Sequence, residues 1–585
     1  MPSVPRRGTG AATASGAVAG RVLMSGGGAG RGGGAAPVAS RRRGYCYHAP
    51  RDVGKVGRSM PPFARMALSS GVVDASALSP PASPLRRGRR RLARLVRSRA
   101  GPPRWHWLAS VFFLAFAARS LYAVDLALAL ESQSQPGARM MQRYDEGAAA
   151  ILRGEGALMV SGVDPSDTSL LARPPGYSLL LAVIYRLVGR GLFAAQLVQN
   201  ALNACVPVLV FLLADALLGR RAAAAAGLLA AVMPHLAYYS ALLTPDVVCA
   251  VPVLGALVLL APAARGRRVG LGRALVAGLA LGAAVWLRPN LLLLGPALAC
   301  ALVLAGRPGR RPWRAAAAVA AGAALAIAPI TVRNYVLFRA FVPVSINLGV
   351  VLWEGLGEAS GNAWGTRTDD VDVAAQEAQT YGDPRYADWW ASPDGIRRDR
   401  DRVRRSLRVI AAHPVWFAGA ALRRAAEMLD YAAADAPPVE RAGAARAETL
   451  DALHEPGQGR AAAHLWGPEL LARLRPRLSS RQAVLAGRAL DPARVPLRPL
   501  QTALTLLALP LVLVGAGAVA LLAPRRAVFL LAVPAYQMAI QSIVHFEFRY
   551  VLPMHACLLV LAGAGLGLAA GLVGESARRR RPHLG

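Results

Sequence analysis

Long apolar stretches alternate with arginine clusters along this chain, and that alternation constrains the fold more than any other feature. Arginines end or separate apolar runs at Arg220-Arg221, 265–273, 307–314, Arg525-Arg526 and 578–581. Loops rich in Arg and Lys stay on the cytoplasmic side of a membrane, so these clusters read as inside. The opposite run ends carry Arg173-Pro174-Pro175-Gly176-Tyr177, Thr244-Pro245-Asp246, Arg288-Pro289-Asn290, Arg333-Asn334-Tyr335 and His545-Phe546-Glu547-Phe548-Arg549-Tyr550. By alternation all of these fall outside.

With 585 residues, 54% of them hydrophobic, and a mean hydropathy of +0.36, the chain is too apolar for a soluble globule. Apolar runs near the roughly 20 residues that cross a bilayer recur many times. The net charge of +35 invites a nucleic-acid reading, but 18 of those charges lie in residues 1–105, where 20 Arg and Lys face only Asp52 and Asp74. Most of the remainder sits in short inside loops and the C-terminal arginine tail. A basic inner surface facing anionic lipid accounts for this, and no nucleic-acid partner is expected. Lys55 is the sole lysine, and with the Ala, Gly and Pro excess this points to a GC-rich bacterial genome. Of five cysteines, Cys46 lies in the basic tail and Cys205, Cys249, Cys300 and Cys557 lie inside apolar runs. That pattern implies neither a disulfide framework nor a zinc site.

The expected fold is an all-α polytopic membrane protein with an external, mostly helical soluble domain. Residues 1–105 read as a disordered basic cytoplasmic tail, with Met66 an alternative start. A transmembrane module at 106–332 includes a first external loop at 131–175. The apolar piece 177–188 is too short to cross and is expected to lie at the interface. Spans are expected at about 107–128, 192–217, 222–242, 247–263, 272–288, 290–306 and 315–332. Residues 333–499 hold 20 of the chain's 33 acidic residues against 23 arginines, a nearly balanced composition that suits an external domain. Within it, 403–429 reads as an amphipathic helix interrupted at Pro414 and resting on the membrane. Closing spans at about 500–523, 527–544 and 551–574 bring the count to ten, and 575–585 is a basic tail. Both termini are then cytoplasmic, in a multi-pass plasma-membrane protein.

Charged residues at the outer ends of spans are costly unless solvated or paired. Several on one face imply a polar pocket at membrane level, suited to a ligand with a lipid tail and an anionic head. In the first external loop, Asp145 or Glu146, beside Tyr144, is a candidate general base; the plainer alternative is a solvated carboxylate on a loop helix. Arg173 precedes two prolines and can offer a bidentate fork to phosphate, or can simply snorkel to the interface. Arg288 and Arg333 break the inside bias for arginine, so a lipid phosphate or a nearby carboxylate should compensate them. Asp246 joins them as a binding candidate, or caps the next helix. His545, Glu547, Arg549 and Tyr550 crowd one span end, through ligand binding or through a Glu–Arg pair. His235 reads as a satisfied interfacial histidine and Met233 as packing.

Read together, the motifs resemble the polytopic glycosyltransferases of the GT-C superfamily, specifically the family-39-like group of protein O-mannosyltransferases and aminoarabinose transferases. The pieces are Tyr144-x3-Ala148-x2-Ile151-Leu152-x-Gly154-x-Gly156, Arg173-Pro-Pro-Gly-Tyr177 and Tyr238-Tyr239-Ser240 through Thr244. Leu287-Arg288-Pro289, Ala328-Pro329-Ile330-Thr-Val-Arg333-Asn334-Tyr335 with Pro343-Val-Ser345, and Arg549-Tyr550-x2-Pro553 complete the set, over about 106–360 and 500–570. The resemblance implies a polyprenyl-phosphate-linked sugar donor, transfer on the external face, and an acidic base in the first external loop. The family's aspartate would fall on Met140 or Met141, whereas Asp145 follows Tyr144; five helical residues turn about 500°, aiming it about 140° away.

The expected reaction displaces a lipid phosphate from the anomeric carbon of a sugar. Asp145 first, then Glu146, would activate the acceptor hydroxyl. Arg288, Arg333 and Arg173 would stabilise the departing phosphate, with Tyr177, Asp246, Asn334, Tyr335, His545, Glu547, Arg549 and Tyr550 in the donor site. The partners are the bilayer, the polyprenyl-phosphate sugar and an unassigned acceptor. A divalent cation is an open option without a visible ligand set. The alternatives are a transporter or flippase of a lipid-linked saccharide, and a non-catalytic membrane protein of the same architecture.

Overall fold

The computed structural model of the protein describes residues 103–129, 140–155, 164–306, 312–432, 438 and 488–580, all within a unit spanning 79–585. The expected tail 1–102 and most of 433–487 lie outside the described residues. Among the described residues the regular structure is helical, without strands. The membrane module contains α1 (Arg104–Ala129), α2 (Met140–Leu152), α3 (Gly176–Val188), α4 (Leu192–Leu217), α5 (Arg220–Val232) and α6 (Pro234–Ala241). It continues through α7 (Pro245–Val248), α8 (Ala250–Ala264), α9 (Leu271–Leu287), α10 (Leu294–Ala305) and α11 (Pro312–Phe338).

After α11 come α12 (Leu348–Ser360), α13 (Asp370–Tyr381), α14 (Gly395–Ala412) and α15 (Pro414–Glu427), then α16 (Asp491–Leu522), α17 (Pro524–Gln541) and α18 (Leu552–Arg580). Among the described residues, six stretches are long and apolar enough to cross a membrane: Arg104–Val124, Phe193–Leu217, Pro245–Ala264, Pro312–Phe338, Asp491–Leu522 and Phe548–Ala570. The pair α5–α6, bent by 46°, makes a seventh. The sequence reading counts ten. The difference lies in α9 and α10, with 17 and 12 residues, and in α17. At 1.5 Å per residue, α9 and α10 are about 26 Å and 18 Å long, short of a core of about 30 Å. Within 18 residues, α17 carries Arg525, Arg526, Gln537 and Gln541, which lower its hydropathy.

The arginine-bearing ends meet around the C-terminus of α4. Arg220 and Arg104 pair with Asp215 at 3.1 and 3.5 Å, Arg265 donates to the Asp215 carbonyl, and Arg526 donates to the Leu217 carbonyl at 2.6 Å. Cations at a helix C-terminus are stabilised by its exposed carbonyls. Arg104 and three of the five arginine clusters, far apart in sequence, therefore share one end of the bundle, and the motif-bearing span ends lie at the other.

Helix α18 is central, with 89% of its apolar window buried, against 28% for α11 and α16 at the periphery. Small residues permit the closest approaches. A Cβ on Gly278 of α9 would collide with the Val319 carbonyl of α11, and one on Gly515 of α16 would collide with the Leu561 carbonyl of α18.

The break between α5 and α6 follows from Pro234, which lacks the N–H that a continuous helix needs. Side chains from other helices bond the carbonyls there. Arg119 of α1, fully buried, donates to the Ala231 carbonyl and to Ser240 Oγ, both at 3.1 Å, and Gln501 of α16 donates to the Val232 carbonyl at 3.0 Å. At the far end of α6, Gln196 and Gln199 of α4 bond the carbonyls of Ala241, Ser240 and Leu242.

Helices α12–α15 have a small core of their own, including Val350, Trp353, Leu356, Val373 and Trp390. At its centre Glu377 is fully buried and takes Arg398 and Arg402 at 2.7 Å each, with Arg405 at 3.2 Å. The expected boundaries shift. α11 continues through residue 333 to Phe338, and α16 begins at Asp491 rather than at 500. The expected amphipathic helix at 403–429 starts earlier, at Gly395, and breaks at His413-Pro414 into α14 and α15.

Candidate active site

The Thr244-Pro245 corner ends α6 and starts the one-turn α7, which presents Asp246. Asp246 is buried and pairs with Arg288, the residue at which α9 stops before Pro289. The Arg288 guanidinium lies 4.8 Å from the centre of the Tyr550 ring, and Asn290 donates to the Tyr550 carbonyl at 3.2 Å. The Arg288-Pro289-Asn290 and Phe548–Val551 turns are thereby joined.

Glu547 organises its own segment. It accepts the Tyr550 hydroxyl at 2.8 Å and both sides of the Arg549 guanidinium, at 2.5 and 2.6 Å. Burial pushes its carboxyl up, but Arg549 and His545 outweigh that and hold it far below the usual carboxylate range. His545 lies between Glu358 at 2.6 Å and Glu547 at 3.5 Å. Burial lowers its affinity for a proton, yet the bonds to these two carboxylates raise it well above an ordinary histidine. Glu354, one turn before Glu358 on α12, is 7% exposed, and burial raises its carboxyl to about 8 despite the opposing pull of His545.

The first loop reaches the same place through Tyr144. This buried ring packs edge-on against Tyr177 at 4.9 Å, with the Arg173 guanidinium 5.3 Å from its centre. Arg173 keeps a buried Nη1 without a hydrogen-bond partner and is electrostatically coupled to Tyr144, Asp370, Arg549 and Tyr550. Arg288 is coupled to Tyr144, Arg549, Tyr550 and Glu547. Tyr177 donates to Gln199, whose amide holds the end of α6. Segments scattered from Tyr144 to Tyr550 therefore form one polar cluster.

Asp145 has a different position from the one expected of a base. Its carboxylate is 1% exposed and takes Arg190 at 2.7 and 3.2 Å and the Tyr185 hydroxyl at 2.8 Å. These bonds hold α2 against α3 and the start of α4, because one residue of helical rotation separates its direction from that of Tyr144. Glu146 is exposed. Arg333 also has a bracing position: its guanidinium bonds Asn334 Oδ1 at 2.7 and 3.0 Å and the Leu170 carbonyl, while Asn334 bonds the carbonyls of Val342 and Val344. Tyr335 is 54% exposed. The cluster thus gathers Arg173, Tyr177, Asp246, Arg288, His545, Glu547, Arg549 and Tyr550, and gives Asp145, Arg333 and Asn334 to bracing contacts.

The sequence reading missed Glu354, Arg119, Gln196, Gln199 and Gln501. The last four carried a usable signal, since polar groups inside apolar runs are costly without a partner. Among the described residues no group of three or more His, Cys, Asp and Glu could hold a metal ion. His545 and Arg549 already take up Glu358 and Glu547, so these residues do not fit a divalent cation.

Residues 172–334 match the family described as dolichyl-phosphate-mannose-protein mannosyltransferase. No curated protein sequence matches the chain. Among solved structures, the oligosaccharyltransferase AglB from Archaeoglobus fulgidus, in complex with an inhibitory peptide and a dolichol-phosphate, is 12% identical, with a TM-score of 0.40, over 82% of this chain and 52% of that one. ArnT from Cupriavidus metallidurans, bound to undecaprenyl phosphate, is 14% identical, with a TM-score of 0.31, over 80% of each chain. The chain spans about half the length of the archaeal oligosaccharyltransferase. Residues 172–334 begin one residue before Arg173 and end one residue after Arg333, so the family match encloses Arg173, Asp246 and Arg288, and with it the chain resembles the polytopic glycosyltransferases of the GT-C superfamily.

Proposed function

We propose that this chain is a membrane glycosyltransferase that moves a sugar from a polyprenyl phosphate to an acceptor on the external face of the plasma membrane. The observation that carries the reading is the convergence of Arg173, Arg288 and Arg549 with two tyrosines at the span ends opposite the arginine clusters. Arg173 keeps a buried N–H without a partner. A desolvated guanidinium with an unused donor suits a phosphate oxygen better than a neutral ligand.

In the proposed reaction the acceptor oxygen attacks the anomeric carbon while the bond to the lipid phosphate breaks. The leaving phosphate gains charge in the transition state, so preorganised guanidiniums lower the barrier. Arg288, anchored by Asp246 and stacked near Tyr550, and Arg173, over Tyr144, are the groups assigned to that task. Glu547 holds Arg549 and the Tyr550 hydroxyl in place. The positive-inside pattern supports both termini facing the cytoplasm and α12–α15 lying outside.

The test is transfer in proteoliposomes loaded with polyprenyl-phosphate monosaccharides, alongside an assay of lipid flipping. Wild-type protein should transfer sugar, and Arg288→Ala and Arg173→Ala should lose transfer while inserting normally. Sugar lipid that crosses the bilayer without any transfer would overturn the reading in favour of a flippase.

A further inference from the structure

We infer that Glu354 is the group that takes the proton from the acceptor hydroxyl; this rests on the transferase reading above and names its base. The other buried carboxylates near the cluster are committed elsewhere. Asp145 holds Arg190 and Tyr185, Asp246 holds Arg288, and Glu547 holds Arg549 and Tyr550. Glu358 is engaged by His545, and Asp370 is exposed in the first turn of α13. Glu354 is buried, yet no hydrogen bond of its carboxyl is found among the described residues.

The surrounding backbone holds it there. His545 N–H donates to the Val351 carbonyl at 2.7 Å, one turn before Glu354. Gly355 packs so tightly on the 544–545 backbone that a Cβ would sit 2.7 Å from the Val544 carbonyl carbon. Arg424 of α15 bonds the carbonyls of both Gly355 and Ser542. This turn of α12 is therefore fixed against the segment that carries His545, Glu547, Arg549 and Tyr550.

The charged groups facing it are His545, Asp370, Glu358 and Glu547. With burial they place its proton affinity near neutrality, where a general base works best. The step balances without a co-reactant. The Glu354 carboxylate accepts the hydroxyl proton, the acceptor oxygen bonds the anomeric carbon, and the carbon–oxygen bond to phosphate breaks. The electron pair leaves on the polyprenyl phosphate, and the proton passes to water after product release.

The experiment uses the full-length protein in proteoliposomes, a panel of polyprenyl-phosphate hexoses and pentoses, and cell-envelope extract as acceptor, with polyprenyl-phosphate binding measured separately. Wild-type kcat/KM should rise with pH, pass its half-maximum near 8 and level off above that. Glu354→Gln should bind polyprenyl phosphate normally, lose transfer by about 100-fold or more, and lose that pH dependence. Glu354→Asp should recover part of the rate. Equal transfer by wild type and Glu354→Gln, or a wild-type profile that is flat between pH 6 and 9, would overturn the assignment and leave the transferase reading intact. Wild-type protein that neither binds polyprenyl phosphate nor consumes any donor would overturn both.

Discussion

Asp246 and Arg288 come from different helices and meet as a buried ion pair at the motif-bearing end of the bundle. Each stands where a helix is interrupted by proline, Asp246 after Pro245 and Arg288 before Pro289. Pro245 opens α7 just after α6 has ended and Pro289 follows the end of α9, and the pair holds these two corners together. Removing one partner strands the other charge in an apolar setting, at a cost of about 3–5 kcal/mol. Asp246→Ala should therefore lower the unfolding midpoint in detergent markedly, and Asp246→Ala with Arg288→Ala should cost less than the sum of the single changes. Additive losses in that double-mutant cycle would show that the two side chains do not act as a pair.

Arg119 is expected to matter for stability although it lies far from the charged cluster in sequence. Its guanidinium reaches the Ala115 and Ala231 carbonyls and Ser240 together. Arg119→Ala should cost about 1–3 kcal/mol for each buried group left unpaired. Arg119→Lys should fail to restore it, because an ammonium, although it has three N–H donors, is a compact point charge without the spread, planar fork that reaches acceptors on α1, α5 and α6 together. Thermal unfolding of the three proteins checks this.

Asp145→Asn separates a brace from a base. The amide keeps a hydrogen bond to Tyr185 and still faces Arg190, which is itself 43% exposed at the side chain. Transfer should fall no more than about tenfold, well short of the 10²–10⁴-fold typical of a lost general base. A loss of that larger size at unchanged stability would return Asp145 to the catalytic role.

Glu354 also predicts a pH dependence of stability. Its carboxyl titrates near 4.5 when unperturbed and at about 8 in the folded protein. A raised value means that the folded state binds the proton more tightly, so this contribution is complete below about 4.5 and is lost as pH climbs through about 8. Stability should fall over that window while activity rises. Glu354→Gln should flatten the stability slope, measured as unfolding midpoint against pH relative to wild type.

Glu377→Ala should destabilise the α12–α15 region more than any surface change there, by about 3–5 kcal/mol, since it strands buried arginines. Hydrogen exchange across α13 and α14 would show the effect locally, with the membrane helices unchanged.

Much of the architecture was legible from the residues. The arginine clusters forecast which span ends share a side, and Arg104, Arg220, Arg265 and Arg526 do gather around the end of α4. The break at Pro414 and the shortness of α3 were also readable, because proline and helix length act locally. The count of crossings was less so, because α9 and α10 stop short of the bilayer's thickness and α17 carries polar residues, and where such helices end is set by the turns and helices packed against them.

Hydropathy, charge bias and proline placement therefore determined by themselves that this chain is a helical membrane protein with its unusual charges collected at one end, since each depends only on neighbouring residues and on the contrast between lipid and water. Tertiary packing decided which of those charges face one another. Tyr144 turns toward the cluster while Asp145 turns to Arg190, and Glu354 is buried beside His545 while Arg333 braces a loop. Such choices depend on helix rotation and on partners hundreds of residues away, which no local pattern encodes.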